Sequence, residues 1–311
     1  MSVYHRPVMI SECLELLALR PGKIYVDATL GGGGHALAML EHEPQIKLYA
    51  FDRDIDAIKE AEATLQDHHA VLIQANFKDL RTQLAYHKVS GIDGILFDLG
   101  VSSHQLDETE RGFSFDRDAE LDMRMDRESE MTARKIVNEY SVDELKKIFR
   151  EYGEEQAAGR IARAIERSRE KQPIKSTLEL AGVIESVVGV GSKESLKTKV
   201  RVFQALRICV NDELAALSSA LNDAINLLNP EGRIVVMSYH SLEDRIVKNM
   251  FKLAEQDCIC PPVIIQCVCS HKSTLKVLTR RPRSATDEEI QTNVRSRSAK
   301  LRAAEKKRGK R

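Results

Sequence analysis

The chain has 311 residues, of which 42% are hydrophobic and 30% are charged, and its formal net charge is zero. This length suffices for one large domain with an insertion or for two domains, and the composition is that of a protein with a buried core. No apolar stretch reaches the length of a membrane helix, the N-terminus lacks a signal-peptide pattern, and six cysteines do not suggest a disulfide framework. We therefore expect a cytoplasmic protein without membrane partners.

The basic residues are unevenly distributed along the chain. Residues 295–311 contain nine Lys and Arg residues against a single Glu. A basic C-terminal tail of this kind suits a polyanion such as RNA, and a solvated, disordered end has the same composition.

The first predicted elements are a short helix over residues 11–19 and a strand over 24–26 that ends in an acid. Four glycines then precede a second apolar helical run. Glycine adopts positive φ and lets the backbone approach a ligand, while the N–H groups of the helix start point at that ligand. The pattern predicts a loop that binds a nucleotide-like cofactor, and a plain turn is the simpler alternative. The candidate residues are Asp27, Gly31, Gly33, Gly34 and His35.

Three further strands are predicted over residues 47–52, 71–74 and 94–98. The second strand ends in Asp52, about twenty residues past the glycines, where an acid typically meets a ribose diol. Phe77 lies just beyond the third strand, and the fourth ends in Asp98. Strands that alternate with helices predict an α/β protein with a Rossmann-like, mainly parallel sheet.

The strand pattern then stops. Residues 108–203 show no convincing strand, and capping boxes that begin at Ser141 and Ser176 mark helix starts. We predict an all-helical insertion in the α/β domain. One long amphipathic helix is predicted over 200–228, followed by strands at 233–238 and 276–279. The expected boundaries are 1–107 and 204–311 for the two parts of the α/β domain and 108–203 for the insertion.

The glycine loop alone does not select a cofactor. It fits the dinucleotide fingerprint of nicotinamide-dependent oxidoreductases, and it equally fits the acid-then-glycines motif of S-adenosylmethionine methyltransferases. Both cofactors carry a ribose that Asp52 can bind.

Longer motifs separate these alternatives. They are DLGVSSHQLD at 98–107, RGFSF at 111–115, LDMRM at 121–125, SYHSLEDR at 238–245 and RSAKLR at 297–302. Together they closely resemble the RsmH (MraW) family, in order and over nearly the whole chain. The resemblance implies an enzyme that transfers a methyl group from S-adenosyl-L-methionine to the N4 amine of a decoding-region cytidine in small-subunit (16S) ribosomal RNA. A non-catalytic RNA-binding assembly factor remains a further alternative.

The resemblance also implies roles for individual residues. The family's cofactor loop matches Gly33, Gly34 and His35, its ribose acid matches Asp52, and its adenine-side aromatic matches Phe77. Its fourth-strand acid and the following glutamine match Asp98 and Gln105. His104 stands where the family usually has proline, which leaves the path of this loop open. The substrate is expected within the assembled or assembling 30S subunit, and a homodimer is left open.

The reaction requires acceptors that hold the hydrogens of a weakly nucleophilic amine. Asp98, Ser102 and Ser103 are the candidate catalytic residues. Tyr239, His240 and Phe113 are candidates for stacking the base, and His240 also for acid–base work. Alternatively, Asp98 only binds the cofactor, Tyr239 belongs to the core, and His240 holds its loop.

Two further groups are candidates for binding. Arg160, Arg163 and Arg167 share one helical face and can bind phosphates, although exposed arginines among glutamates are often only solvated. Cys258-x-Cys260 and Cys267-x-Cys269 can hold zinc. The C-x-C spacing is less typical, however, and the family's activity implies no metal, so we expect free thiols and no metal site.

Overall fold

The computed structural model describes residues 7–100, 108–261, 263 and 266–309. These residues form two compact units. The α/β unit contains residues 7–100 and 214–309, and the helical unit contains residues 108–213. The second boundary falls between Glu213 and Leu214, beyond the expected position at 203/204.

The α/β unit is built on one sheet, which has seven strands among the described residues, in the order β3-β2-β1-β4-β5-β7-β6. Their bounds are β1 Ile24–Asp27, β2 Lys47–Asp52, β3 Ala70–Gln74, β4 Ile92–Asp98, β5 Leu228–Ser238, β6 Leu275–Val277 and β7 Lys300–Lys306. The strands β1 to β5 pair in parallel, as the alternating pattern predicts. The predicted α/β, Rossmann-like fold is confirmed.

The register of the parallel strands places three acids at one edge. Asp27 pairs with Ala50 of β2 and Leu96 of β4, so the carboxyl ends of these strands lie side by side. Asp52 and Asp98 end those neighbouring strands. In open α/β sheets this edge is where ligands bind.

Part of the basic C-terminal segment, Lys300–Lys306, belongs to the sheet as strand β7. β7 lies antiparallel between β5 and β6. Arg302 within it is buried, and its guanidinium donates to both carboxylate oxygens of Asp244, at 2.6 and 3.1 Å. The basic composition of this segment concealed a strand whose apolar residues, such as Leu301 and Ala303, face the core.

The described residues contain twelve α-helices. Their bounds are α1 Ile10–Leu17, α2 Gly34–His42, α3 Ile55–Thr64, α4 Leu80–Tyr86, α5 Ala133–Glu139, α6 Val142–Glu151, α7 Ala158–Arg169, α8 Thr177–Val188, α9 Lys193–Asn211, α10 Glu213–Leu227, α11 Ser241–Glu255 and α12 Asp287–Thr292. None of those in the described part of the chain combines the length and apolar character needed to cross a bilayer.

Alternate residues of the strands belong to two hydrophobic cores. Phe97 and Val236 contribute to one core, while their sequence neighbours Leu96 and Val235 contribute to the other. Successive strand residues point to opposite faces, so the sheet is covered on both sides. Because both faces of the sheet are packed, the strands are held in place, and so is the edge of the sheet at which the three acids lie.

The helical unit has its own core, which includes Phe149, Ile161 and Leu206. The two predicted capping boxes are present: Ser141 caps α6 and Ser176 caps α8. Among residues 108–213 the structure has no strand, only an isolated bridge between Glu120 and Ser176. The all-helical character of the segment is as predicted.

The single long helix predicted over 200–228 is wrong. The helices α9 and α10 are separate, because Asp212 adopts a left-handed conformation with φ of 50°. The Asn211 amide before it donates to the Met123 carbonyl and accepts from the Met125 N–H, both at under 3 Å. Apolar residues continue with helical spacing across this break, so periodicity alone could not reveal it.

Candidate active site

The glycine loop joins β1 to α2 in a conformation that needs glycine. Gly31 and Gly33 have φ of 51° and 82°. Gly33 occupies the N-cap position of α2, where no side chain accepts from the first-turn N–H groups. A Cβ on Gly34 would overlap Pro7. The loop therefore leaves the amide groups of the helix start available to an anionic or polar ligand.

Asp52 fixes this loop. Its two carboxylate oxygens accept hydrogen bonds from the Gly31 and Asp54 N–H groups, both at 2.9 Å. Burial raises the pKa of Asp52, against these two hydrogen bonds. Since each oxygen has a second acceptor position, the carboxylate can also receive two hydroxyl groups.

Asp27 is the most unusual acid of the site. It is completely buried, one carboxylate oxygen accepts from the Thr29 N–H at 3.1 Å, and the other, Oδ2, has no hydrogen-bond partner in the described structure. Burial raises the pKa of Asp27 to about 6, although the proximity of His35 opposes this shift. An unpartnered buried carboxylate is costly and calls for a functional explanation, and a bound cation would provide one.

Asp98 is held by neighbours from three directions. Its backbone N–H donates to the Thr29 hydroxyl at 2.6 Å, and the Tyr239 hydroxyl donates to Oδ1 at 2.8 Å. Nδ1 of His35 lies 3.5 Å from Oδ2. Thr29 was not predicted as a site residue, although its position two residues after the strand-end acid was the available signal.

His35 serves the site in a different way from that expected. Its ring is buried, and Nε2 donates to the Val8 carbonyl at 2.9 Å. The ring thus ties the N-terminal segment to the loop and faces Asp98, so a cofactor contact from His35 would come from its backbone N–H in the first turn of α2.

Tyr239 is a partly buried side chain whose hydroxyl contacts Asp98, so its placement matches the core alternative more closely than base stacking. Burial and the neighbouring Asp98 carboxylate raise the pKa of Tyr239 well above its usual value, so the phenol stays neutral and donates. A Cβ on Gly100, whose φ is 104°, would lie 3.2 Å from the Tyr239 ring. Tyr239 is therefore packed in place, and its hydroxyl orients Asp98.

His240 has a structural role in this arrangement. It is the N-cap of α11, where Nδ1 accepts from the Glu243 N–H at 3.4 Å and the Glu243 carboxylate accepts from the His240 and Tyr239 N–H groups. Nε2 lies 3.2 Å from Oε1 of Glu243 but is not aligned for a hydrogen bond. These contacts favour the interpretation that His240 holds its loop over acid–base catalysis. Glu243, which is also buried, was not predicted.

The two candidate phenylalanines lie in different units. Phe77 is half-buried on a 3₁₀ turn that follows β3, with its ring edge-on to Phe97 at 5.9 Å between centroids. Phe113 is buried in the core of the helical unit, and Arg111 covers its ring at 6.0 Å. This placement supports Phe77 as a cofactor contact and speaks against base stacking by Phe113. Ser102, Ser103 and Gln105, together with His104, lie outside the described residues.

Arg160, Arg163 and Arg167 are all exposed on α7, and the described part of the structure gives none of them an ion-pair or hydrogen-bond partner. In contrast, Arg201 pairs with the buried Glu155 at 2.6 Å. The side chain of Lys146 on α6 passes 3.7 Å from the Cβ position of Gly159 on α7. We name the three arginines and Lys146 the α7 basic face, and none of the four forms an ion pair with another of the described residues.

The sequence model of the MraW methylase family matches residues 2–307. The chain belongs to the MraW methylase family. Relatives named "Ribosomal RNA small subunit methyltransferase H" are 45% identical in Finegoldia magna, over 98% of this chain and 99% of theirs, and 49% identical in Geobacter sulfurreducens, over 98% and 100%. One from Syntrophus aciditrophicus is 48% identical, over 97% of this chain and 98% of its own.

As a member of this methylase family, the protein is an S-adenosylmethionine-dependent methyltransferase, and the oxidoreductase alternative is not supported. Its residues fit that cofactor. The unpartnered Oδ2 of Asp27 can face a cationic group, the carboxylate of Asp52 can accept from ribose hydroxyls, and Phe77 offers a half-buried ring. The strand order of the sheet also speaks against a dinucleotide-binding enzyme, because β7 is inserted between β5 and β6, unlike in the typical order of such sheets.

Proposed function

We propose that this protein methylates the exocyclic N4 amine of a cytidine in the decoding region of small-subunit ribosomal RNA. The names of its relatives support ribosomal RNA as the substrate. The observation that most supports amine chemistry is the position of Asp98. Its carboxylate ends β4 beside the glycine loop, and Tyr239 and His35 hold it.

The bound cofactor supplies an activated methyl group, so the protein's main task is to position the amine. The lone pair of a cytosine amine is delocalised into the ring, and acceptors that bind its hydrogens make the nitrogen a better nucleophile. Asp98 can accept one such hydrogen, because an ionised carboxylate has about four acceptor positions and the Tyr239 phenol uses one of them. The Leu99 carbonyl, with Ser102 or Ser103, is proposed to accept the other.

The charge of Asp98 also matters once the methyl group moves. The amine develops positive charge during the transfer, and a fixed carboxylate nearby stabilises that charge without having to reorganise. Tyr239 contributes by keeping Asp98 in one orientation. His240 is not needed as a base, because the methylated amine is acidic and can lose its proton to solvent.

The helical unit is proposed to bind the RNA. The α7 basic face offers positive side chains that are not neutralised within the described structure, which is the typical requirement for phosphate contacts. The range 108–213 would then be the substrate-recognition insertion.

The test is to incubate the full chain with methyl-labelled S-adenosylmethionine and either naked small-subunit RNA or assembled 30S subunits. Nuclease digestion and mass spectrometry then identify the modified nucleoside and its position. We expect N4-methylcytidine at one position. Label on a ring carbon, on a ribose or on protein would contradict the proposal. No transfer to either substrate would favour a non-catalytic assembly factor.

The same material can settle the proposed cellular context. Activity on 30S subunits alone would identify an assembly-dependent substrate, whereas activity on naked RNA would contradict that part of the proposal.

The proposed cytoplasmic location predicts that the protein is recovered with ribosomal fractions after cell lysis. Sedimentation analysis distinguishes a monomer from a homodimer.

A further inference from the structure

The segment between α11 and β6 carries a cluster of four cysteines. Cys258 and Cys260 are separated by one residue, as are Cys267 and Cys269, with six residues between the two pairs. All four thiols are free, with no disulfide among them. They contribute nothing to the methyltransferase site described above.

The four sulfur atoms converge on one point, all lying within 4.8 Å of one another. The Sγ–Sγ distances are 3.4 Å for Cys258 and Cys267, 3.6 Å for Cys267 and Cys269, and 3.8 Å for Cys258 and Cys269. Four sulfurs at the usual Zn–S distance of about 2.3 Å in a tetrahedron lie about 3.8 Å apart. The cluster therefore has nearly the dimensions of a tetrahedral four-thiolate site.

Backbone groups around the cluster point at the sulfurs. The N–H groups of Ile259, Cys260 and Val268 approach the Sγ atoms of Cys269, Cys258 and Cys260, each at 3.4 Å. Such hydrogen bonds orient thiolate ligands and reduce their negative charge around a metal. Nearby His271 is not available as a ligand through Nε2, which lies 3.0 Å from the Leu253 carbonyl.

The described apolar side chains of the segment contribute little packing to this shape, since Val263 and Val268 are 87% and 73% exposed. The ends of the segment are attached to the α/β unit, for example by the Thr274 N–H, which donates to the Ala254 carbonyl at 2.8 Å. Small elements without a hydrophobic core commonly depend on a disulfide or a metal.

We propose that Cys258, Cys260, Cys267 and Cys269 bind one zinc ion. The four protein ligands fill a tetrahedral shell, which makes the site structural and leaves no open position for catalysis. Four soft thiolates in a compact tetrahedron favour zinc over hard ions such as magnesium or calcium. The ion joins the end of α11 to the approach to β6 and stabilises the edge of the sheet. This proposal departs from the expectation, drawn from the sequence, of free thiols and no metal.

The first measurement is the metal content of the full chain, purified without a polyhistidine tag under reducing conditions. We expect one zinc per chain by elemental analysis. Replacement by cobalt should give the strong thiolate-to-metal absorption and visible bands of a tetrahedral sulfur site. The double variant Cys260→Ser, Cys267→Ser should lose the metal. The matched control is Cys209→Ser in the helical unit, which removes a half-buried thiol and should keep the full zinc content.

The result that overturns the proposal is wild-type protein without zinc whose four thiols react at equal rates with a thiol reagent before and after chelator treatment. Disulfides among these cysteines, or iron or copper bound in place of zinc, would also overturn it. If the double variant fails to fold, the test uses the wild-type protein. Titration of its thiols with an organomercurial reagent should then release one equivalent of zinc per chain. The affinity for S-adenosylmethionine should change less than twofold after zinc removal, so this result is independent of the proposed RNA substrate.

Discussion

The charged groups of the two units are held in opposite ways. In the α/β unit, Asp27 is completely buried. Asp52 accepts a hydrogen bond from a backbone N–H of the glycine loop, and Asp98 accepts one from the Tyr239 hydroxyl. In the helical unit, Arg160 and Arg163 are exposed without partners in the described structure. Fixed, desolvated charges suit a small ligand of defined shape, whereas an exposed basic surface suits a polyanion that is bound mainly through its phosphates. This difference is what we expect if the α/β unit binds the cofactor and the helical unit binds RNA, as proposed above.

The strongest way to test the α/β side is to remove the charge of Asp98 while keeping its shape. We expect Asp98→Asn to lower the single-turnover methylation rate about a hundredfold or more, because a fixed charge that acts in the transition state is lost. The affinity for S-adenosylmethionine should fall much less. Rates measured at saturating cofactor and RNA separate the two effects.

The matched control is Tyr239→Phe, which removes the hydroxyl that donates to Asp98. It should lower the rate less than Asp98→Asn, since the carboxylate is still present but less well oriented. An Asp98→Asn variant that binds cofactor poorly yet reacts at the normal rate when saturated would show that Asp98 is a cofactor ligand only.

The second test concerns the cofactor pocket. Asp52→Ala should raise the dissociation constant of S-adenosylmethionine at least about tenfold, because charge-assisted hydrogen bonds to the ribose are lost. The Gly31 N–H also loses its acceptor, so the loop itself loosens. Asp67→Ala, an exposed acid of the same unit, is the control and should leave calorimetric affinity unchanged. Equal affinities for wild type and Asp52→Ala would refute the ribose assignment.

The third test addresses the helical side. Changing Arg160, Arg163 and Arg167 together to Glu should weaken RNA binding by roughly tenfold at low salt and reduce the slope of log affinity against log salt by about two to three. Cofactor affinity should stay within twofold. Filter binding over a salt series measures the slope.

The control for this variant makes the same charge change elsewhere. Lys248, Lys252 and Lys276 are exposed residues of the α/β unit, and their replacement by Glu should affect RNA binding less. If both triple variants lose equal affinity, the α7 basic face has no special role. Unchanged binding in the arginine variant would mean that these residues are merely solvated.

The comparison also explains what the sequence could predict. Asp52 and Asp98 follow apolar runs directly, so both strands and the positions of the acids at their carboxyl ends were predictable. The strand β7 was missed because charged residues that pair across the sheet, such as Arg233 with Glu305 at 2.9 Å, look like a solvated tail in sequence. Composition does not reveal partners that are distant along the chain.

Side-chain roles were harder to predict than positions. His240 lies in a motif that suggested catalysis, yet its contacts with Glu243 are those of a helix cap. Phe113 was a candidate for base stacking, yet it lies in a core. In both cases the role depends on which neighbours surround the residue. The four cysteines show the converse, since their spacing was unusual and only the convergence of the sulfurs favours the proposed metal.

The expected effect that is smallest near neutral pH is the pH dependence of cofactor binding that Asp27 introduces. Burial raises the pKa of Asp27 to about 6, so its carboxylate is protonated below that pH and charged above it. A cationic group of the cofactor binds best to the charged form. The dissociation constant of S-adenosylmethionine should therefore be constant above pH 7 and rise as pH falls, approaching tenfold per unit well below about pH 6.

The folding stability of the unliganded protein depends on pH in the opposite direction from cofactor affinity. Because folding disfavours the charged form of Asp27, the stability of the unliganded protein should decrease as pH rises from about 4, the ordinary carboxyl pKa, to about 6. Asp27→Asn should reduce this decrease, leaving the smaller contribution of Asp52, whose pKa burial also raises, and it should flatten the pH profile of cofactor binding. Calorimetry with S-adenosylhomocysteine, which lacks the sulfonium charge, identifies the cation: a retained pH dependence assigns it to the amino group, and a lost one assigns it to the sulfonium. Identical profiles for wild type and Asp27→Asn would show that the buried carboxylate does not face the cofactor.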